Sequence, residues 1–214
     1  MSWLLNILDY LPSRHLSGGN LYLAHTYTDA ALSDLPGLKT RLQTGDRMIS
    51  DHEVILAGVM LDPVSPVQSW SLQISKLPEW VDTWDIMAAE ALAVLINVNQ
   101  FRVLISERNV VSHCDNMADV YSIVKGSCNS LISSSIINLL HRSTQDDNVY
   151  YSWVSTHRNV ADFPTRSNKT KLLRETFGPD LIHEALDESC IPWNDIKKVY
   201  TELSSFQVKL SKLH

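Results

Sequence analysis

Four acidic residues, Asp29, Glu90, Asp115 and Asp162, lie far apart in the chain but share a local setting. Asp29 ends the β-like run Leu21–Thr28. Glu90 interrupts an apolar stretch, IMAAEALAVL, and its neighbours three and four positions away are Ile86, Met87, Ala93 and Val94. Asp115 follows the run Val110–Cys114, and Asp162 sits in the loop after VYYSWVS. A carboxylate on an apolar helix face is costly unless it is paired or bound to a cation. Singly, each residue has an ordinary reading as a turn former, a helix cap or a solvent-facing side chain. Brought together at one edge of a sheet, carboxylates with no cysteine ligands suit hard cations such as Mg²⁺ or Mn²⁺. Two such ions about 3.5–4 Å apart can stabilise the attacking and the leaving oxygen at a phosphodiester.

The elements that must position them follow from periodicity and breakers. Trp3, Leu4, Ile7, Leu8 and Leu11 have helical spacing, and Pro12 with Gly18-Gly19 ends that segment. The runs at 21–28, 52–61 and 67–77 read as strands of an antiparallel meander, with a polar loop at 34–51. Residues 83–100 are rich in Ala and Leu, lack Gly and Pro, and predict the longest helix. A short strand at 110–114, helices at 116–125 and 129–142 and a strand at 149–155 come next. From Lys169 onward the pattern is helical, broken at Gly178-Pro179 and Pro192. The sum is a mixed α/β sheet with helices on its faces.

Composition bounds the function. The chain has 214 residues, 44% of them hydrophobic, enough for one substantial core. Net charge is −6, and residues 167–214 carry seven charges of each sign, so the whole deficit lies in 1–166. A free-standing nucleic-acid binder would be basic, so a nucleic-acid substrate here requires bound cations or a basic partner. Cys114, Cys128 and Cys190 show no CxxC spacing and read as reduced, buried thiols. No apolar run spans a membrane, and the N-terminus, with Asp9 inside its apolar stretch, is a poor signal peptide. The expected location is intracellular, cytoplasmic or nuclear.

Three stretches carry a family resemblance. They are Tyr27-Thr28-Asp29-Ala30, the segment Cys114–Gly126 (CDNMADVYSIVKG) and the segment Tyr151–Arg166 (YSWVSTHRNVADFPTR). The last is the most specific, matching over more than a dozen residues the "WVPS..N.AD.PSR" ending of certain ribonuclease H domains. At these residues the chain resembles the ribonuclease H domain of retroelement reverse transcriptases of the DIRS, Pao/BEL, gypsy and hepadnavirus types. The resemblance spans about 21–167. It implies a ribonuclease H-like mixed five-stranded sheet with helices on both faces. The domain would be preceded by a connecting helix (1–20) and followed by a C-terminal helical extension (168–214). There are departures. Ala31 stands where the family usually has Ser, the loop 34–51 is long, and no basic helix for gripping a hybrid stands out.

The resemblance also implies roles. Asp29, Glu90 and Asp115 would hold one Mg²⁺ (or Mn²⁺) ion, and Asp29 with Asp162 a second. His157 would assist proton transfer or product release; its plain reading is an exposed loop residue. Asn116 contacts the substrate strand or caps the following helix. Arg166 contacts phosphate or pairs with Asp162. Trp153 is expected in the core, Asp119 at the surface. The implied activity is two-metal hydrolysis of the RNA strand of RNA–DNA hybrids, with a reverse transcriptase polymerase domain as partner in cis or in trans; retroelement particles are a further implied location. Two other readings stay open. One is a silent ribonuclease H-like scaffold that binds protein or RNA. The other is a DNA-directed or integrase-like nuclease on the same fold.

Overall fold

The computed structural model describes residues 23–32, 54–106, 108–166 and 169–211. The expected N-terminal helix at 3–11 and the loop at 34–51 lie outside the described residues. Among the described residues, six strands form one mixed sheet in the order β5-β4-β1-β2-β3-β6. They are β1 (Leu23–Leu32), β2 (Val54–Leu61), β3 (Gln68–Gln73), β4 (Asn109–Cys114), β5 (Asn148–Trp153) and β6 (Ile182–Leu186). The first three strands form the expected antiparallel meander. β4, β5 and β6 each join parallel to a neighbour.

The helices are α1 (Ile86–Gln100), the single turn α2 (Arg102–Ile105), α3 (Met117–Lys125), α4 (Leu131–Thr144), α5 (Thr170–Phe177) and α6 (Trp193–Ser211). Their boundaries have local causes. Asp85 caps α1 by accepting from the Ala88 N–H, Asn116 caps α3, and Ser130 caps α4. Gly126, at φ 80°, ends α3 in the left-handed region that glycine tolerates best.

One face of the sheet carries the main core. Ala24, Leu56, Met60, Trp70 and Leu72 pack there against α1, and the same cluster extends into α4. α1 is buried nearly all round because α4 covers its outer side, and α6 packs in turn on α4. On the other face Val59 meets Ala161, Leu173 of α5 and Leu181, so both faces bear helix.

The sheet has six strands where five were expected. The segment after Lys169, read as helical throughout, supplies β6 between α5 and α6. β6 (IHEAL) is a short, half-exposed edge strand with little apolar alternation, so pairing with β3 rather than local pattern defines it. Trp193 and Tyr200 of α6 pack edge-on against Trp80 and join this part to the main core.

α1 approaches the sheet closely at Gly58. The Trp70 indole N–H donates to Asn97 Oδ1 at 3.0 Å above that glycine. A methyl group at Gly58 would collide with Asn97 Oδ1 and the Trp70 ring, both held in the core. Gly58→Ala is therefore expected to cost about 3 kcal/mol of stability, measured by urea unfolding.

Candidate active site

The parallel register of β1 and β4 builds the site. Its last pair is Thr28 with Cys114. Asp29 and Asp115 each follow that pair, so two carboxylates emerge side by side where β4 stops. Asp29 does not end its strand, as the sequence pattern had it. β1 continues to Leu32 because β2 pairs with it as far as Val54. Glu90 reaches the same place from the second turn of α1 and is only 3% exposed. Asp162 arrives from a 3-10 turn, Val160–Asp162, packed against β1 and β2.

The carboxylates act on one another. Burial pushes the Asp29 carboxyl up to about 6, and the charges of Asp115 and Asp162 add to the rise. Burial also drives Glu90 well above the usual range, with Asp29, Asp115 and Asp119 adding to it. The Ala30 N–H partly offsets that rise. Clustered carboxylates that resist ionisation make a site for positive charge.

Supporting groups set each carboxylate. Thr165 donates its hydroxyl to Asp29 Oδ2 at 2.6 Å. Asn159 donates to the Thr28 carbonyl at 2.8 Å and so fastens the late loop to β1. Asp162 Oδ1 accepts from Arg166 Nε and its Oδ2 from Lys169 Nζ, both at 2.5 Å. Of the two readings of Arg166, the ion pair with Asp162 is formed. Asn116 accepts from the N–H groups of Ala118 and Asp119, which is the capping geometry. His157 is exposed on the turn Thr156–Arg158. It lines a cavity of about 390 Å³ together with Asp162, Arg166 and Lys169.

Two residues depart from expectation. Trp153 is 47% exposed rather than core, because β5 is the sheet's edge and Trp153 is its last residue. Its indole N–H donates to the Asp115 carbonyl at 2.9 Å, which steadies the backbone at that carboxylate. Asp119 is wholly buried rather than at the surface, and neither carboxyl oxygen has a hydrogen-bond partner. Burial raises it to about 8, with the Asp85 charge adding to the effect. Its place beside Ser122 and Ile123 on the buried face of α3 is a periodicity signal that a single polar residue obscures.

Cysteine also enters the site. The Cys114 thiol lies 3.7 Å from Glu90 Oε2, and the ligating atoms of Glu90, Cys114 and Asp115 all fall within 4.8 Å of one another. The sequence set the cysteines apart because none is paired by spacing. Only the strand register reveals this contact.

No protein-family model matches the chain, and no curated protein matches it. Among solved structures, the chain is similar to RNase H1 from the halophilic archaeon Halobacterium salinarum NRC-1. The identity is 9% over 65% of this chain and 90% of that one, with a TM-score of 0.47. It is similar to the N-terminal RNase H domain of a Mycobacterium tuberculosis protein, at 13% identity, 72% and 98% coverage and a TM-score of 0.47. It is also similar to the prototype foamy virus protease-reverse transcriptase, at 14% identity, 77% and 21% coverage and a TM-score of 0.41.

The Asp29 shift has a direct consequence for stability. Its folded-state value lies above the ordinary aspartate value of 3.8, so the folded protein binds this proton more tightly than the unfolded chain. Stability therefore falls as pH rises from about 4 to about 6. In metal-free protein, Asp29→Asn is expected to add about 2 kcal/mol at about pH 8 and nothing below about pH 4. Urea unfolding in the presence of a chelator, repeated across that range, measures it.

Proposed function

We propose that the chain is a ribonuclease H-like nuclease that hydrolyses the RNA strand of RNA–DNA hybrids, as part of a retroelement reverse transcriptase or a derivative of one. The observation that carries this reading is the meeting of Asp29, Glu90, Asp115 and Asp162 beside the end of β4, three of them on the segments that carry the sequence resemblance. The donors are hard oxygens under mutual repulsion, which fits Mg²⁺ or Mn²⁺. Asp29, Glu90 and Asp115 would hold one ion, and Asp29 with Asp162 the other. Two bound ions would supply activation of the attacking water and stabilisation of the leaving 3′-oxygen.

The chain's own residues do the rest. Thr165 orients the Asp29 carboxylate, and Trp153 holds the Asp115 backbone. Arg166 and Lys169 place two positive charges beside Asp162, where the phosphates of a substrate strand would lie. His157, which lines the same cavity, would pass a proton to or from solvent. Asn116 spends its side-chain oxygen on the helix cap, and its amide N–H₂ is the group that would face the substrate. Contacts to 2′-hydroxyls would select RNA. A polymerase domain in cis or in trans would provide the basic surface that a chain of net charge −6 lacks.

A second reading is a silent scaffold of the same fold. The observation in its favour is that both oxygens of Asp162 are already taken by Arg166 and Lys169.

End-labelled RNA–DNA hybrid, double-stranded DNA and double-stranded RNA with Mg²⁺ separate these readings. Hybrid-specific cutting that falls at least about 100-fold in Asp115→Asn, with stability retained, upholds the nuclease. Cutting of DNA alone points to the DNA-directed alternative. No cutting of any substrate, with and without added polymerase domain, points to the scaffold.

A further inference from the structure

Cys114 places a soft sulfur donor among hard oxygen donors, and its geometry is specific. A tetrahedral zinc ion with one thiolate at about 2.3 Å and one carboxylate at about 2.1 Å requires sulfur and oxygen about 3.6 Å apart. Cys114 Sγ and Glu90 Oε2 are 3.7 Å apart. Asp115 adds a third ligating atom within the same 4.8 Å cluster and, being only partly buried, opens the cluster to solvent. Asp119 supplies an independent sign that positive charge belongs here. It is fully buried on the first turn of α3, just after Asp115, and both its oxygens lack partners.

We propose that Glu90, Cys114 and Asp115 form a site for one thiophilic divalent cation, Zn²⁺ or Cd²⁺, that overlaps the place assigned above to Mg²⁺. On binding, the thiol loses its proton to the buffer and sulfur bonds to the metal. Thiolate raises the affinity for zinc far more than for magnesium, so low zinc displaces magnesium at this position. The effect on cleavage rests on the nuclease reading; the binding does not.

Cadmium titration of the full chain tests the site through the ultraviolet thiolate-to-cadmium charge-transfer band. In Cys128→Ser/Cys190→Ser protein, Cys114 is the sole thiol. The expected result is a band that saturates at one ion per chain. Adding Cys114→Ala removes the band and weakens Zn²⁺ binding at least about tenfold, with Mg²⁺ binding nearly unchanged. Absence of the band from the sole-thiol protein overturns the proposal, whether or not the alanine variant folds. So does equal weakening of Zn²⁺ and Mg²⁺ binding in that variant. Hybrid cleavage with Mg²⁺ is assayed on the same samples. A cadmium band without cleavage upholds the metal site and counts against the nuclease; cleavage without a band does the reverse.

Discussion

Like charges held together against their repulsion are the constraint on which the rest of the molecule depends. β1 and β4 run parallel in a register that sets Asp29 beside Asp115, and Glu90 is pressed toward the same edge by a helix buried on nearly all sides. None of these side chains would choose that company in water. The apolar contacts of α1 with the sheet and with α4 offset the cost. Trp70, Leu92 and Leu95 are fully buried in that core. Close approach of α1 to β2 at Gly58 belongs to the same demand, because a wider gap would carry Glu90 away from the strand ends.

Of the four carboxylates, only Glu90 lay in a context that local chemistry does not favour; Asp29, Asp115 and Asp162 were legible through the segments that carry the resemblance. Glu90 stood out on an apolar face, and Asp115 and Asp162 stood in segments that resemble a known family. The meander and the long helix were equally plain, since period and breakers agree there. What escaped was decided by tertiary pairing. β6 is a strand only because β3 offers it an edge. Trp153 looked like core by residue type, yet it ends an edge strand. Asp119 looked like surface by residue type, yet it faces inward from α3. Arg166 illustrates the middle case, in which the sequence left two partners open and the fold supplied the nearer one.

The two faces of the sheet divide the work. One carries the large core and delivers Glu90. The other carries a smaller cluster around Val59, Ala161 and Leu173, which anchors the loop that delivers Asp162, Thr165 and Arg166. Asn159 ties that loop to the Thr28 carbonyl directly beside Asp29. The late loop is therefore part of the sheet's mechanics rather than an appendage.

Pairing of β3 with β6 joins Gln68 to Ile182. On the ribosome, the outer edge of β3 has no partner until the last strand has emerged, although the rest of the sheet can already close. Between the emergence of β3 and that of β6 the nascent chain therefore presents an open strand edge, the kind of surface on which neighbouring chains pair with one another. β6 acts as a seal applied late, and a chain cut short before residue 182 keeps that edge open.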